Sequence, residues 1–408
     1  MKRSLFTITL LVLGCLMLSA RDKKVLIVIV DGIPKDVVER LRIPVVYDIA
    51  RTGAFGASYV GGEPGMYNET PTISAVGYNT MLTGTWANKH NVFGNGNLSP
   101  NYHYWSLFRI AKEQERPLTT AIFSSWTDNR TVLLGEGKLE TGYLKIDYVY
   151  DGYDLDQVRF PHKEKDLHVF DYDEEVSRNA ANCIRENAPD LSWLYLWYTD
   201  DAAHLFGNGA YMDEYVLKAG EQIERVWDAV KYRQDKFGED WMVIVTTDHG
   251  RTVNGYGHGR QSVRERTTWI STNKKLNKRF KEGKAAMVDI NPTVCDFLDM
   301  EVPELVRRER DGVSLLGKVE VSDFEVLSYD HEAVLRWKAI IPASSVNIYA
   351  APANDFKASG NESWVHLATV KAGVQEYRCD LGRIGDSKFY KFVLVCEHNT
   401  LNRWLQVK

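Results

Sequence analysis

Six consecutive apolar residues, Val25-Leu26-Ile27-Val28-Ile29-Val30, followed at once by Asp31-Gly32, set the strongest limit on what this chain can fold into. A β-branched run with no polar alternation has no face to offer water, so it reads as a strand buried on both sides of a parallel sheet. The segments Trp193 to Trp197 and Met242 to Val245 repeat the pattern, and helical stretches such as Glu221 to Tyr232 lie between such runs. Strands and helices alternate from about residue 24 to 317. This predicts an α/β sandwich with a mostly parallel central sheet and helices on both faces, and ligands bound beyond the C-terminal ends of its strands.

The 408 residues, 44% of them hydrophobic, can bury a core of that size. Lys and Arg number 50 against 55 Asp and Glu, and no long basic run gives a bulk electrostatic reason to bind nucleic acid. Lys2 and Arg3, the apolar stretch Leu5 to Leu18, and Ser19-Ala20 form an export signal over residues 1–20, too short to span a membrane comfortably. The mature protein is therefore expected to be secreted or periplasmic, without a transmembrane span. Val12-Leu13-Gly14-Cys15 offers a lipid anchor at Cys15 as the alternative, which continuation of the apolar run past Cys15 disfavours. Four cysteines follow the signal, and Cys379 and Cys396 share one small region where a disulfide and a pair of buried thiols are both open.

Composition changes near Lys318. The catalytic part is expected over 21–320, and from Glu332 onward short alternating strands are separated by Pro, Gly, Asn and Asp turns: Val334 to Trp337, Val346 to Tyr349, Trp364 to Val370 and Phe389 to Val395. Over 330–408 this resembles a fibronectin type III β-sandwich, with Trp337 and Tyr390 as core aromatics.

The chemistry-bearing residues follow the apolar runs. Asp31 ends the first, and Asp248-His249-Gly250 follows Met242 to Thr247, so that adjacent carboxylate and imidazole can turn onto one cation, Zn²⁺ or Mn²⁺ rather than Ca²⁺. Asp200 and His204 are spaced to share one face of a helical turn. His258 sits between Gly257 and Gly259, a third imidazole on a slender loop. Ser74 opens an apparent helix through Leu82, where a hydroxyl and a bound phosphate are both favoured by the helix N-terminus, although a plain helix cap reads the same way.

Together these segments resemble the alkaline phosphatase superfamily from Val25 to about Leu316, and most closely its nucleotide pyrophosphatase/phosphodiesterase branch. Pro71-Thr72-Ile73-Ser74, Leu82-Thr83-Gly84, His90 and Asn95 match that branch's nucleophile stretch in spacing, with serine where threonine is usual. Asp200, His204 and Gly207 match its Asp-x-x-x-His-x-x-Gly, with Asn208 in place of proline. The resemblance implies that Asp31, Ser74, Asp248 and His249 hold one divalent metal ion and Asp200, His204 and His258 a second, most simply two Zn²⁺ ions. It implies that Ser74 is the nucleophile, forming a covalent phosphoseryl enzyme, and that Asn95 binds a phosphate oxygen.

The implied activity is that of a secreted phosphoric ester hydrolase of phosphodiesterase type, acting on a small phosphate ester. A phosphomonoesterase on the same site is the alternative, for which Arg130, Arg251 and Arg260 are candidates to offset a dianion. A non-catalytic binding protein on the same scaffold would have lost ligands, and all seven are present. Tyr195 matches an aromatic that stacks on the leaving nucleoside, but its usual partner after the nucleophile is here Ala75. A sulfatase is disfavoured, because Ser74-Ala75-Val76-Gly77-Tyr78 lacks the Cys/Ser-x-Pro-x-Arg context for formylglycine.

Overall fold

The computed structural model describes residues 22–407; the export signal and Cys15 lie outside them. Its centre is a seven-stranded sheet made of β1 (Lys23–Val30), β2 (Ala54–Tyr59), β3 (Thr120–Ser124), β4 (Tyr148–Tyr150), β5 (Leu191–Leu196), β6 (Asp240–Thr246) and β7 (Thr267–Thr272). The order is β2-β7-β6-β1-β5-β3-β4, with β7 antiparallel to both neighbours and the run from β6 to β4 parallel.

β1 is buried as its sequence demands. Val25, Ile27 and Ile29 feed the core beneath the helices Ser74–Thr83 and Ile290–Phe297. Leu26, Val28 and Val30 feed the opposite core beneath Leu167–Asn187 and Ala210–Phe237. Each fully buried side chain of this size contributes roughly 1.5–3 kcal/mol. The helix Ala210–Phe237 begins well before the expected Glu221, since Gly220 breaks the apolar period in sequence while packing on the sheet overrides it. No helix of the described residues is long and apolar enough to cross a membrane.

The C-terminal part holds two antiparallel sheets built from β8 (Val321–Tyr329), β9 (Glu332–Ala339), β10 (Ser345–Ala351), β11 (Val365–Lys371), β12 (Glu376–Asp380), β13 (Phe389–Val395) and β14 (Thr400–Gln406). One sheet runs β11-β10-β13-β14 and the other β12-β9-β8. Phe324, Leu335, Trp337, Ile348, Tyr390 and Phe392 share one core between them. β8 carries this all-β part back to Val321, ahead of the expected boundary at 330. Its irregular register between Ser322 and Glu325 hides the alternation that marks a strand. Cys379 and Cys396 enter this core as separate buried thiols.

Between the two parts, Lys391 of β13 is 1% exposed. Its ammonium donates to Glu309 at 2.5 Å and Asn354 at 3.3 Å, and pairs with Glu362. Lys391→Met keeps the length of the side chain but leaves two carboxylates without their cation in the interior. A loss of about 3–5 kcal/mol in unfolding free energy is expected in urea titration; a loss below about 1 kcal/mol would show that the pair contributes little.

Candidate metal centre and nucleophile

Three neighbouring strands deliver three carboxylates. β6, β1 and β5 lie side by side, and their C-terminal ends lead directly into Asp248, Asp31 and Asp200. Asp200 and His204 stand one turn apart on the helix Tyr198–Phe206, whose first residues follow β5. Gly32 turns the chain away from β1 with φ of 64°, and a Cβ there would lie 2.5 Å from an Asp200 oxygen, so the close approach of Asp31 and Asp200 requires glycine.

Ser74 is the first residue of the helix Ser74–Thr83, every residue of which is buried. Gly77 lets this helix settle on the end of β6, since a Cβ would meet the Asp248 carbonyl oxygen at 2.8 Å. Ser74 Oγ thereby comes to 3.2 Å from His249 Nε2. The Asn95 side-chain oxygen accepts from the Ala75 N–H at 2.9 Å, which leaves the Asn95 amide nitrogen to donate elsewhere.

The three imidazoles share one orientation. Nδ1 of His249 lies 2.9 Å from the Gly250 carbonyl, that of His204 lies 2.7 Å from the Tyr256 carbonyl, and that of His258 lies 2.9 Å from the Thr72 carbonyl. A carbonyl only accepts, so each Nδ1 carries its proton and each neutral ring turns the Nε2 lone pair inward. There His204 Nε2 faces His258 Nε2 at 3.1 Å and Asp200 at 3.1 Å. His249 Nε2 faces Asp248 Oδ2 at 3.2 Å and Asp31 Oδ1 at 3.5 Å. Those two carboxylate oxygens are buried without a hydrogen-bond partner.

Acceptors thus converge at His204 with His258 and at His249 with Asp31 and Asp248, an arrangement that a divalent cation satisfies. Asp200, His204 and His258 form one group able to hold an ion, and Asp31, Asp200 and His249 form another. The electrostatics agree. Burial and the charges of Asp248 and Asp200 push the Asp31 carboxyl well above its usual range, and burial and Asp200 push Asp248 up to about 6. Burial lowers His249 and His258 to about 4, keeping both neutral. Burial also acts on Asp200, but His204 and the Arg251 charge overcome it and hold the carboxyl well below its ordinary value, while Asp200 in turn raises His204, so that in the absence of an ion His204 Nε2 competes as a proton donor to Asp200.

A family model described as type I phosphodiesterase / nucleotide pyrophosphatase matches residues 25–321. The chain belongs to that family. Its members are metal-dependent phosphoric ester hydrolases, and this protein is an enzyme of that class. No curated protein matches the sequence. Among solved structures, a 2-O GAG sulfatase shares 12% identity over 89% of this chain and 86% of its own, with a TM-score of 0.51. Murine ectonucleotide pyrophosphatase / phosphodiesterase 5 shares 13% over 69% of this chain and 96% of its own, TM-score 0.44. Phosphonoacetate hydrolase from Sinorhizobium meliloti shares 18% over 58% and 59%, TM-score 0.39. The sulfatase likeness is one of fold, that of the alkaline phosphatase superfamily.

Two features expected of this phosphodiesterase's substrate slot are not where the sequence placed them. Tyr195 does not present a stacking face: it is 2% exposed, its hydroxyl donates to Asp31 at 2.7 Å and its ring packs against Tyr78. Ala75 is fully buried in the core beside it, so positions 75 and 195 wall no slot. Nor is Arg130 free for a substrate, since Asp151 and Glu136 hold its guanidinium.

Other residues emerge only in three dimensions. Tyr78, one turn below Ser74, donates a second hydroxyl to Asp31, a placement that the spacing of four already permits. Trp126 and Trp197 follow the paired ends of β3 and β5 and stay partly exposed, Trp126 against the core that holds Ala75 and Tyr78 and Trp197 at the boundary between the two cores. Arg251 is fully buried and donates to Asp200, to the Gly255 carbonyl at 2.5 Å and to the Tyr256 carbonyl at 3.5 Å. It therefore links a site carboxylate to the loop whose Tyr256 carbonyl orients His204.

Arg251→Met leaves the Asp200 charge and the Gly255 carbonyl without this donor, and a loss of about 3–5 kcal/mol in metal-free unfolding free energy is expected. Arg260→Met, at an exposed position, is expected to stay within about 0.5 kcal/mol. Equal effects in the two variants would contradict the structural role of Arg251.

Proposed function

We propose that this protein is an exported phosphodiesterase that hydrolyses small phosphodiesters through a phosphoseryl intermediate on Ser74. The observation that carries the reading is the ring of inward-facing Nε2 lone pairs and unpartnered carboxylate oxygens around the Ser74 hydroxyl. Asp31, Ser74, Asp248 and His249 would hold one divalent ion and Asp200, His204 and His258 the other, Zn²⁺ in preference to Mn²⁺ for this imidazole and carboxylate set. When bound, the ions supply Lewis-acid charge that favours the ionised serine and offsets charge on the phosphoryl group.

The chain's own groups then take these roles. Ser74 Oγ gives up its proton to solvent and attacks phosphorus in line; the bond to the leaving oxygen breaks with its electron pair and that oxygen takes up a proton, so the seryl intermediate is itself a diester, with phosphorus joined to Ser74 Oγ and to the retained ester oxygen. Water displaces Ser74 in a second in-line step, giving a phosphate monoester and overall retention at phosphorus. Asn95 donates its amide hydrogens to a non-bridging oxygen, and the first-turn N–H groups of the helix Ser74–Thr83 other than that of Ala75, which donates to the Asn95 side-chain oxygen, are left for the same charge.

Two details support a diester over a monoester. A dianionic substrate calls for an additional free cation, and of the three candidates Arg251 and Arg130 are committed to Asp200 and to Asp151 with Glu136, which leaves the exposed Arg260. Trp126, partly exposed and edge-on to Tyr78 one turn from Ser74, offers an indole for the second substituent of a diester. The four-plus-three strand arrangement of the C-terminal part and the Tyr390 hydroxyl, which donates to the Gly385 carbonyl at 2.8 Å in the manner of a tyrosine corner, support its reading as a fibronectin type III-like module.

On a bis-aryl phosphodiester and the matching aryl monoester, kcat/KM is expected to favour the diester by about tenfold or more. A preference for the monoester would replace this reading with that of a phosphatase on the same site. Ser74→Ala is expected to lower kcat by about a thousandfold while elemental analysis still finds metal in the protein, against two zinc ions per chain in active wild type. A residual kcat above about a tenth of wild type would remove Ser74 from the nucleophile's role, and one metal or none per active chain would overturn the two-ion site.

A further inference from the structure

The loop that carries Asn95 is held by the C-terminal module. Its two feet meet where the Asn101 N–H donates to the His90 carbonyl at 2.9 Å. Between the feet, hydrogen bonds of the described residues stay within the loop and its His90 foot, as from Asn91 to the Ser99 carbonyl at 2.9 Å, except that the Asn91 N–H donates to the Ala87 carbonyl at 2.9 Å and Asn95 accepts from Ala75. Asn95 and its neighbours Gly96 and Asn97 are exposed. Anchoring at the feet therefore decides where Asn95 stands relative to Ser74.

Both feet reach the module. Next to His90, Lys89 is 1% exposed, and its ammonium donates to Asn402 of β14 at 2.7 Å, to the Glu309 carbonyl at 2.7 Å and to Asp311 at 2.6 Å. Lys357, on the short helix Asp355–Ser359 between β10 and β11, donates to the Asn88 carbonyl at 2.9 Å. The Lys357 carbonyl in turn accepts from the Asn101 side chain at 2.7 Å. Just beyond, Phe356 meets the Tyr104 ring edge-on at 5.1 Å between centroids. His90 itself is locked from the other side, with Thr80 of the nucleophile helix 3.0 Å from Nε2 and the Val92 N–H donating to Nδ1.

A second strap enters from the same module. Arg403 pairs with Glu63 at 2.7 Å, and Trp404 stacks on Tyr67 at 5.2 Å, anchoring the segment that leads through Thr70 and Thr72 to Ser74. The module thus grips the chain on both sides of the nucleophile helix's N-terminus.

We propose that the C-terminal β-module is a clamp that positions the Asn95 loop against Ser74, so that residues of the module, Asn402 and Lys357 above all, are positioning residues for the phosphoryl site. The proposal rests on the reading of Asn95 as a phosphate ligand. Displacing a ligand by about 1 Å is enough to cost on the order of a hundredfold in rate, so loosened feet are felt at the reacting phosphorus without any change in the metal ligands.

The test uses the zinc-loaded full chain carrying Asn402→Ala or Lys357→Met, each made in the wild-type and Asn95→Ala backgrounds. In the wild-type background kcat/KM for bis(p-nitrophenyl) phosphate is expected to fall about tenfold or more, with zinc content unchanged, and Lys357→Arg is expected to restore most of it. In the Asn95→Ala background the same substitutions are expected to change kcat/KM by less than about twofold, because their route to the reaction is already gone. Amide hydrogen exchange over residues 91–101 is expected to rise by about tenfold while that of β1 and β6 stays the same. Equal losses in both backgrounds, or exchange over 91–101 unchanged in both variants, would overturn the clamp. Faster exchange over 91–101 in a chain that cleaves neither phosphodiester nor monoester would keep the clamp and remove the phosphodiesterase reading instead.

Discussion

Three carboxylates at the ends of three adjacent parallel strands are the constraint around which this protein is arranged. Placing Asp248 and Asp31 just past β6 and β1, and Asp200 on the helix that follows β5, concentrates negative charge in a buried crevice, where both desolvation and mutual repulsion oppose ionisation. The surroundings answer that cost in distinct ways. Tyr78 and Tyr195 donate to Asp31, the Gly32 N–H donates to Asp248 at 3.1 Å, and Arg251 donates to Asp200. What these donors leave over, one oxygen each on Asp31 and Asp248, turns toward His249 and Ser74. The chemistry of the donor set, three imidazole nitrogens and carboxylate oxygens, is that of a site for borderline divalent ions.

Backbone carbonyls, more than side chains, set the geometry of that site. Each histidine is oriented by a carbonyl from a different segment: Gly250 after β6, Tyr256 in the loop beyond it, and Thr72 before the nucleophile helix. Such outer contacts fix the tautomer and direct the ligating nitrogen, so the cluster depends on the path of three loops as much as on the ligands themselves. Asn208, which stands where relatives of the resembling branch carry proline, takes part by donating to the Val253 carbonyl at 2.6 Å and accepting from Arg264 at 3.1 Å. It ties the end of the Asp200–His204 helix to the loop that leads to His258.

The two parts of the chain meet through the buried ion pair of Lys391 with Glu309 and the hydrogen bond from the buried Lys89 ammonium to Asn402. Lys89 and Lys391, each 1% exposed, are matched by Asp311, Glu309 and Glu362. Burying such charges gains little net stability over apolar packing, but breaking a pair is costly, so the arrangement fixes one orientation of the module against the catalytic part. An all-β appendage read from sequence as a separate module is, in this packing, part of the wall around the loop that bears Asn95.

Much of the site was legible without coordinates because its signals are local. A β-branched run ending in Asp-Gly, an Asp-His pair after a second such run, and a spacing of four between Asp200 and His204 are properties of strand ends and helical turns, which short-range sterics dictate. The helix Ser74–Thr83, with its end at Gly84, followed from the same kind of signal. The strand order that sets β6, β1 and β5 side by side was not legible, nor was the inward turn of Tyr195 onto Asp31, the burial of Arg251 or the pairing of Lys89 with Asn402. These join residues far apart in the chain, and side chains of the same type read alike in sequence whether they face solvent or the core. The sequence by itself marked the groups proposed here to hold metal and attack phosphorus; only tertiary packing decided which aromatics stay partly exposed, which arginines are already committed, and what holds the Asn95 loop in place.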